Sequence, residues 1–344
     1  MRIVYIIISK GYGGLERHLI ELANEMVKQH EVYVVADASF ANALANSIKH
    51  IPYSANTSRY NPIAIWRLRH ILQQIQPDVI HAQANKAAHM VAFTRVRAKA
   101  NIATLHNQKN DLKPFEQFDG VIAVSASAGV RLKHHQIAII HNGIAPPDPI
   151  NSVSAKEFRR AWCSDDEPLT ISVGRLVPAK GFDILLHAWK DLPGKLVIIG
   201  SGPDEIKLKQ LQLSLNLGEK VVFAGYRKDV PMFMATADLL VISSRREGFP
   251  YVLIEALHAG VPIVSTNIPG AAEYLPKDAV IYSKQPQDVY LSVKHALNQY
   301  HDLKIKYQSY FDKARKDLQL SIMVEQTEAF YNKIIIKNQL KSVG

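Results

Sequence analysis

Two doubly wound α/β domains joined by a short linker are what three observations in this sequence predict. Short Val/Ile-rich runs recur along the chain and alternate with amphipathic helical stretches. The runs are apolar throughout, as strands are when both faces of a parallel sheet are covered. The series stalls once, at the proline-rich stretch 143–152, which has no periodicity. A chain of 344 residues also suits two cores better than one.

In chain order, the runs expected as strands in the first half are 3–8, 32–35, 79–81, 102–105, 121–124 and 137–140. The opening run, 1–10, is too short and too β-branched for a secretion signal and ends in a glycine loop, so it reads as a buried first strand. Leu15, Leu19, Leu22 and Met26 carry the helical period of the first connection. The second half offers 170–173, 196–199, 221–224, 239–242, 263–265 and 280–282. Beyond Pro286 the chain is polar and helical, and a last apolar helix near 322–336 is long enough to cross back onto the first domain. The expected division is 1–145 for the first domain, 146–152 for the linker and 153–319 for the second, with the terminal helix, about 320–344, returning to the first. Ligands of such sheets bind at the carboxyl ends of the strands, so both domains are expected to turn their loops to one cleft.

Hydrophobic residues make up 47% and charged residues 21%, the balance of a globular protein and not of a disordered one. The one cysteine, Cys163, cannot form an internal disulfide, and no cysteine pairs exist for zinc, which makes a reducing cytoplasm the expected compartment. No segment approaches the ~18 apolar residues of a membrane span. The net charge of +10 favours an anionic partner. Basic residues gather partly in the first half, as in Trp66-Arg67-Leu68-Arg69-His70 and Arg95-Val96-Arg97-Ala98-Lys99. A solvated basic face, an anionic membrane surface and a nucleic acid each account for them. No zinc finger, recognition helix or RNA-binding signature supports the last.

The stretch most specific for chemistry is Arg245-Arg246-Glu247-Gly248-Phe249-Pro250-Tyr251-Val252-Leu253-Ile254-Glu255. Its two glutamates flank a Gly-Phe-Pro turn where a strand should give way to a helix. Helix N-termini attract anions, so acidic side chains there make sense as acceptors for hydroxyls around a bound phosphate ester. A nucleotide sugar has that shape, with a diphosphate between two hydroxylated rings. Gly174-Arg175-Leu176-Val177-Pro178-Ala179-Lys180-Gly181 opens the first strand-to-helix loop of the second half. Arg175 could grip phosphate oxygens in a fork and Lys180 add a point charge, or both could be solvated surface cations. Gly11-Tyr12-Gly13-Gly14 is equally a structural turn or a ligand loop; it lacks both the dinucleotide glycine spacing and a Walker lysine.

Of the 14 histidines, His81 and His106 end the expected third and fourth strands, where an ordinary core histidine could also sit. His18, on the first helix, reads as solvated, and His134-His135 as an exposed loop. No histidine spacing suggests a metal site. Asp-x-Asp at a strand end, His-Glu-x-x-His and Gly-x-Ser-x-Gly are all missing from the sequence. A departing diphosphate would then be stabilised by cations and helix N-termini instead of a metal.

Taken together and in this order, these motifs resemble the retaining glycosyltransferases of the two-Rossmann-domain GT-B architecture, and within them glycosyltransferase family 4. The resemblance runs over nearly the whole chain: Gly13-Gly14-Leu15-Glu16, Pro77-Asp78-Val79-Ile80-His81, Asn142-Gly143-Ile144, Gly174-Arg175-Leu176 with Lys180-Gly181, Gly200-Ser201-Gly202-Pro203, and the Glu-x7-Glu signature from Glu247 to Glu255. It implies that Arg175 and Lys180 hold the donor diphosphate with help from the Gly14 backbone. It implies further that Glu247 binds the donor sugar's hydroxyls, and Glu255 the nucleotide ribose. The backbone at Gly248, Phe249, Tyr251 and Val252 would line sugar and phosphate. His106 matches the family's cleft histidine beside the reacting centre, and His81 borders the acceptor side. Three positions depart from the pattern: Gln83 stands where many relatives repeat a histidine, Ser201 where an acidic residue is frequent, and Tyr251 where a smaller residue is usual.

The function so implied is retaining, metal-independent transfer of a hexose or N-acetylhexosamine from a nucleotide-diphosphate sugar, UDP favoured, with no cofactor. The expected acceptor is a glycan or lipid-linked oligosaccharide of surface polysaccharide or lipopolysaccharide synthesis. The expected place is the cytoplasm, peripherally at the anionic inner face of the membrane, with no nucleic-acid partner. An epimerase of the same architecture would lack the need for an acceptor, and the Glu-x7-Glu, Arg175 and Lys180 set argues against it. A non-catalytic nucleotide-sugar or glycan-binding module could dispense with the cations and His106.

Overall fold

Strand and helix alternate along the whole chain in the computed structural model, which describes residues 1–11, 13–107 and 111–343, the side chains of 301, 342 and 343 excepted. The order begins β1 (Arg2–Ile7), α1 (Gly14–Met26), β2 (Glu31–Ala36), β3 (Lys49–Pro52), α2 (Pro62–Ile75), β4 (Val79–Gln83), α3 (Ala84–Thr94), β5 (Ala100–Leu105), β6 (Gly120–Ala123), α4 (Ala126–Gly129) and β7 (Ile137–Ile139). It continues α5 (Ser152–Arg160), β8 (Leu169–Val173), α6 (Phe182–Trp189), β9 (Lys195–Ile199), α7 (Glu205–Ser214), β10 (Val221–Gly225), α8 (Val230–Thr236), β11 (Leu239–Ile242), α9 (Tyr251–Ala259), β12 (Ile263–Thr266), α10 (Ala271–Tyr274) and β13 (Val280–Ile281). The chain closes with α11 (Pro286–Asn298), α12 (Tyr300–Asp317) and α13 (Leu320–Val343).

Among the described residues one sheet has seven strands, in the order β3-β2-β1-β4-β5-β6-β7, and the other six, in the order β10-β9-β8-β11-β12-β13. Every pairing is parallel. The strand order reverses between β1 and β4 in the first sheet and between β8 and β11 in the second. At such a switch point successive helices leave on opposite faces, opening a crevice at the carboxyl ends of the two central strands. Strand β3 is the element the sequence conceals. Its Lys49-His50-Ile51-Pro52 is too polar to signal a strand, yet an edge position tolerates both the lysine and the proline.

The chain divides into two units, Met1–Gly143 with Leu320–Gly344, and Ile144–Gln319. The division falls just before Ile144, ahead of the 146–152 stretch expected as the linker, and again after Gln319, where the returning helix is expected to begin. In the first unit one face of the sheet buries Tyr5, Leu19, Leu22 and Met26 with Met323, Phe330, Tyr331 and Ile334 of α13. Gly120 makes room for that helix, since a Cβ there would lie 2.8 Å from the Phe330 ring. The other face buries Leu68 and Leu72 of α2, Met90 of α3 and Phe115. Asn61 starts α2 by accepting from the amides of Ile63 and Ala64, with Pro62 in the first turn. In the second unit α6 packs on α11 and α9 on α12, and Trp189, at the end of α6, is wholly buried. Among the described residues no helix is long and apolar enough to cross a membrane.

Candidate functional site

The crevice of the second sheet is formed by the loops after β8 and β11, and glycines set how closely they meet. Gly181 has φ +66° and a Cβ on it would fall 2.1 Å from the Ser243 carbonyl oxygen, so only glycine lets this loop lie against β11. The Ser243 hydroxyl donates to the Lys180 carbonyl at 3.1 Å, and the Arg245 amide to that of Ala179 at 2.8 Å. Arg245 then forks onto Asp183 at 2.7 and 2.6 Å, holding that carboxylate below its ordinary range. These contacts bring Lys180 Nζ to 2.5 Å from Glu247 Oε1, which also accepts from the Ser244 hydroxyl at 2.7 Å. Ser244 is held in turn by Thr266, whose hydroxyl donates to its carbonyl.

Arg175 lies exposed on the neighbouring loop. The Gly200-Ser201-Gly202 turn is pressed against that loop, with the Leu176 amide donating to the Ser201 carbonyl at 2.9 Å. A Cβ on Gly202 would clash with the Leu176 backbone at 2.3 Å. Past Glu247, Gly248 and Phe249 are buried, Pro250 caps α9 with no side-chain hydrogen bond, and Tyr251 and Val252 form its first turn. Glu255 sits half-buried one turn further on. The crevice thus gathers a carboxylate–ammonium pair, an exposed guanidinium and a helix N-terminus, an arrangement suited to an anion with hydroxyls on either side. The family resemblance implies separate ligands for Lys180 and Glu247; here each is the other's partner. Among the described residues no cluster of potential metal ligands is present.

The first sheet carries a second constellation at the ends of β4 and β5. His106 Nε2 donates to Gln83 Oε1 at 2.6 Å, and the Gln83 amide faces His81 Nε2 at 3.3 Å. The Thr104 hydroxyl reaches the same His81 nitrogen at 2.6 Å. His81 Nε2 is therefore the acceptor, and its Nδ1–H donates to the Tyr331 hydroxyl at 2.5 Å, which passes a bond to Tyr5. Burial pushes His81 and His106 well below the usual imidazole range, and neighbouring histidines push them further. Both rings are neutral. Since Nε2 of His106 carries the proton, its Nδ1 is left as the acceptor.

His18 overturns its expectation of solvation. It is 2% exposed, donates from Nδ1 to Asn142 Oδ1 at 3.0 Å, and meets the His106 ring edge-on at 4.7 Å between centroids. Burial lowers its pKa to about 4. The helical period hid this, because His18 lies beside the Leu15, Leu19, Leu22 stripe and α1 buries a wider face than the leucines mark. His134 is also held: its Nε2 donates to the Phe118 carbonyl at 2.9 Å and its Nδ1 accepts from the Gln136 amide at 3.0 Å. Gly14 begins α1, whose entrance is taken by Glu16: its carboxylate accepts from the Gly13 amide at 3.0 Å and from Ser9 at 2.7 Å. Tyr12 of the glycine loop lies outside the described residues. Thr104, Tyr331 and Ser244 carry no local motif; the strand-end histidines His81 and His106 and the departure at Gln83 are the signals of the network.

Known proteins share both halves. The description "Glycosyl transferases group 1" matches residues 154–317, and "Glycosyltransferase Family 4" matches residues 12–146. The lipopolysaccharide core biosynthesis glycosyltransferase LpsE of Rhizobium meliloti is 25% identical over 267 residues, 75% of this chain and 77% of that protein. The phosphatidylinositol N-acetylglucosaminyltransferase GPI3 subunit of Saccharomyces cerevisiae is 23% identical over 375 residues, covering 92% of this chain and 81% of the yeast protein. Among solved structures, HepE of Anabaena in complex with UDP-glucose superposes with a TM-score of 0.86 at 20% identity, over 97% of this chain and 100% of the other. The folds are therefore alike, with two parallel sheets of GT-B type. With both family descriptions matched in the family's order, this chain belongs to the glycosyltransferases of family 4.

Proposed function

We propose that the protein transfers a hexose or N-acetylhexosamine from a UDP-sugar to a hydroxyl of a glycan or lipid-linked glycan, with retention at the anomeric carbon and without a metal. The observation that carries the reading is the second crevice, where Lys180 and Glu247 are held together next to an exposed Arg175 and the start of α9. On donor binding Lys180 and Arg175 take the diphosphate, Glu247 the sugar hydroxyls and Glu255 the ribose. The anomeric carbon–phosphate oxygen bond breaks, the acceptor oxygen bonds the same carbon from the same face, and the acceptor proton passes to the leaving phosphate. Fixed cations stabilise the charge that develops on that phosphate. His106, neutral and with Nδ1 as acceptor, receives a hydrogen bond from a substrate hydroxyl. His81 acts through Gln83 to hold it.

The lipopolysaccharide core biosynthesis in the name of LpsE and the phosphatidylinositol in that of the yeast subunit support a surface-glycan or lipid-linked acceptor. An anionic membrane is supported by the outer faces of α2 and α3, where Ile63, Trp66 and Phe93 are exposed by 76%, 61% and 57%. Arg67, Arg69 and Arg95 stand among them, exposed as well. Aromatic and basic side chains together suit a negatively charged leaflet.

Binding and turnover test the reading. UDP is expected to raise the melting temperature selectively over GDP, ADP and CMP, with EDTA making no difference. Arg175→Ala and Lys180→Ala are each expected to cut transfer about 100- to 1000-fold with the fold intact. NMR of the glycoside formed should give the donor's anomeric configuration. Loss of activity on chelation that magnesium restores would reject the metal-free mechanism, and an inverted product would reject retention.

A further inference from the structure

The first sheet's switch point opens into a cavity of about 520 Å³, lined by Ile7 and Ile8 after β1, Gln83 to Lys86 after β4, and the 56–60 segment after β3. Two cations stand in its wall. Arg59 Nη1 donates to the Asn85 side-chain carbonyl at 2.6 Å, and Lys86 Nζ to the Ala55 backbone carbonyl at 2.7 Å. Among the described residues neither has a carboxylate partner. Asn85 is fixed at its other end by the Asp111 carbonyl, at 2.7 Å, so the pair is braced by neutral groups alone. Burial and the charge of Arg59 both lower the pKa of Lys86. Two half-buried cations that repel each other, with neutral partners only, are arranged for an anion from outside.

The backbone agrees. Ala84, on the cavity wall, has φ +65°, a left-handed conformation that is strained for an alanine. That turn places the uncapped first turn of α3 at the cavity beside Lys86. Tyr60, 66% exposed, flanks the opening with Asn56, Thr57 and Ser58, an aromatic face with hydroxyls and an amide around it. Gln83 spans from the cavity lining to His106, so a molecule seated here lies one hydrogen-bonded residue away from that histidine.

Resting on the glycosyltransferase reading, we propose that this cavity seats the acceptor and that Arg59 and Lys86 grip a phosphoryl group carried by it. The acceptor class is thereby a hydroxylated phosphate ester, whether its phosphate belongs to a soluble sugar or polyol phosphate or to a lipid headgroup.

The test titrates glycerol 3-phosphate and glycerol into the full chain, with and without saturating UDP to occupy the cations of the second unit, followed by ligand-observed NMR. Glycerol 3-phosphate should bind in preference to glycerol, about tenfold or more weaker after Arg59→Met or Lys86→Met, and with affinity kept by Lys86→Arg. Thermal melts verify that each variant is folded. Equal binding of the two ligands, or phosphate-ester binding indifferent to both methionine substitutions, overturns the proposal. Vesicles of phosphatidylglycerol that displace glycerol 3-phosphate where phosphatidylcholine does not would uphold the site and identify a headgroup. Phosphate-ester binding undisturbed by either vesicle would uphold it with a soluble ligand. UDP stabilisation without phosphate-ester binding sinks the cavity inference alone; phosphate-ester binding without UDP stabilisation sinks the donor reading alone.

Discussion

Gly181 shows how one missing side chain places a charge. Its left-handed φ and the 2.1 Å approach a Cβ would make to Ser243 are what allow Lys180 to reach Glu247. Gly181→Ala is therefore expected to cost about 1–3 kcal/mol of stability and to weaken UDP binding by moving Lys180 away from the crevice. Urea unfolding and UDP titration of the same variant check both, and a variant as stable and as tight as wild type would show the loop has slack. Gln83 makes the complementary case. As a departure from the family's repeated histidine it supplies both an acceptor for His106 and a donor for His81, which a neutral histidine can also do, but without the reach of a planar amide between two rings. Its carbonyl leaves His106 one tautomer.

At the scale of elements, the histidine network ties β4, β5, α1 and α13 together, and its protonation should be felt as stability. In the unfolded chain His18 takes up a proton near its ordinary pKa of 6.5, whereas the folded ring resists until about pH 4. The contribution is thus intact above pH 6.5 and falls as the pH drops through that window, by on the order of 3 kcal/mol for His18, with His81 and His106 pulling the same way. Urea midpoints from pH 7.5 to 4.5 should decline, and His18→Gln should flatten the decline whatever it does to stability at neutral pH. Most elements here were legible because Val/Ile runs such as 3–8 and 102–105 need no context. Strand β3 was not, since an edge strand is specified by its neighbour β2 and not by its own apolarity. The placement of Arg175, Lys180 and Glu247 on strand-end loops, and of Glu255 in the helix that follows, was legible as motif, while the Lys180–Glu247 pair, the buried His18 and the Arg59–Lys86 cavity arise from residues far apart in sequence and could only be seen folded.

For the whole molecule, the net charge of +10 and the exposed aromatic and basic faces of α2 and α3 belong to one prediction. The protein should co-sediment with phosphatidylglycerol vesicles and not with phosphatidylcholine, less so as salt rises. Replacing Ile63 and Trp66 together by serine should reduce that binding severalfold while leaving UDP stabilisation as it was; equal binding by both lipids would remove the membrane from the account. A last consequence belongs to α13. Its Phe330 and Tyr331 fill the core of a unit whose other residues end at Gly143, with the second unit threaded between. During translation the first sheet must wait on the ribosome, one apolar face covered only in part by α1, until everything through Ile334 has been made. At ~5–20 residues per second this is on the order of ten seconds or more. The nascent amino-terminal half is therefore a natural client for a chaperone, and a ribosome that stalls anywhere in the second unit leaves behind a sheet with all its strands but without the helix that completes the cover of one face.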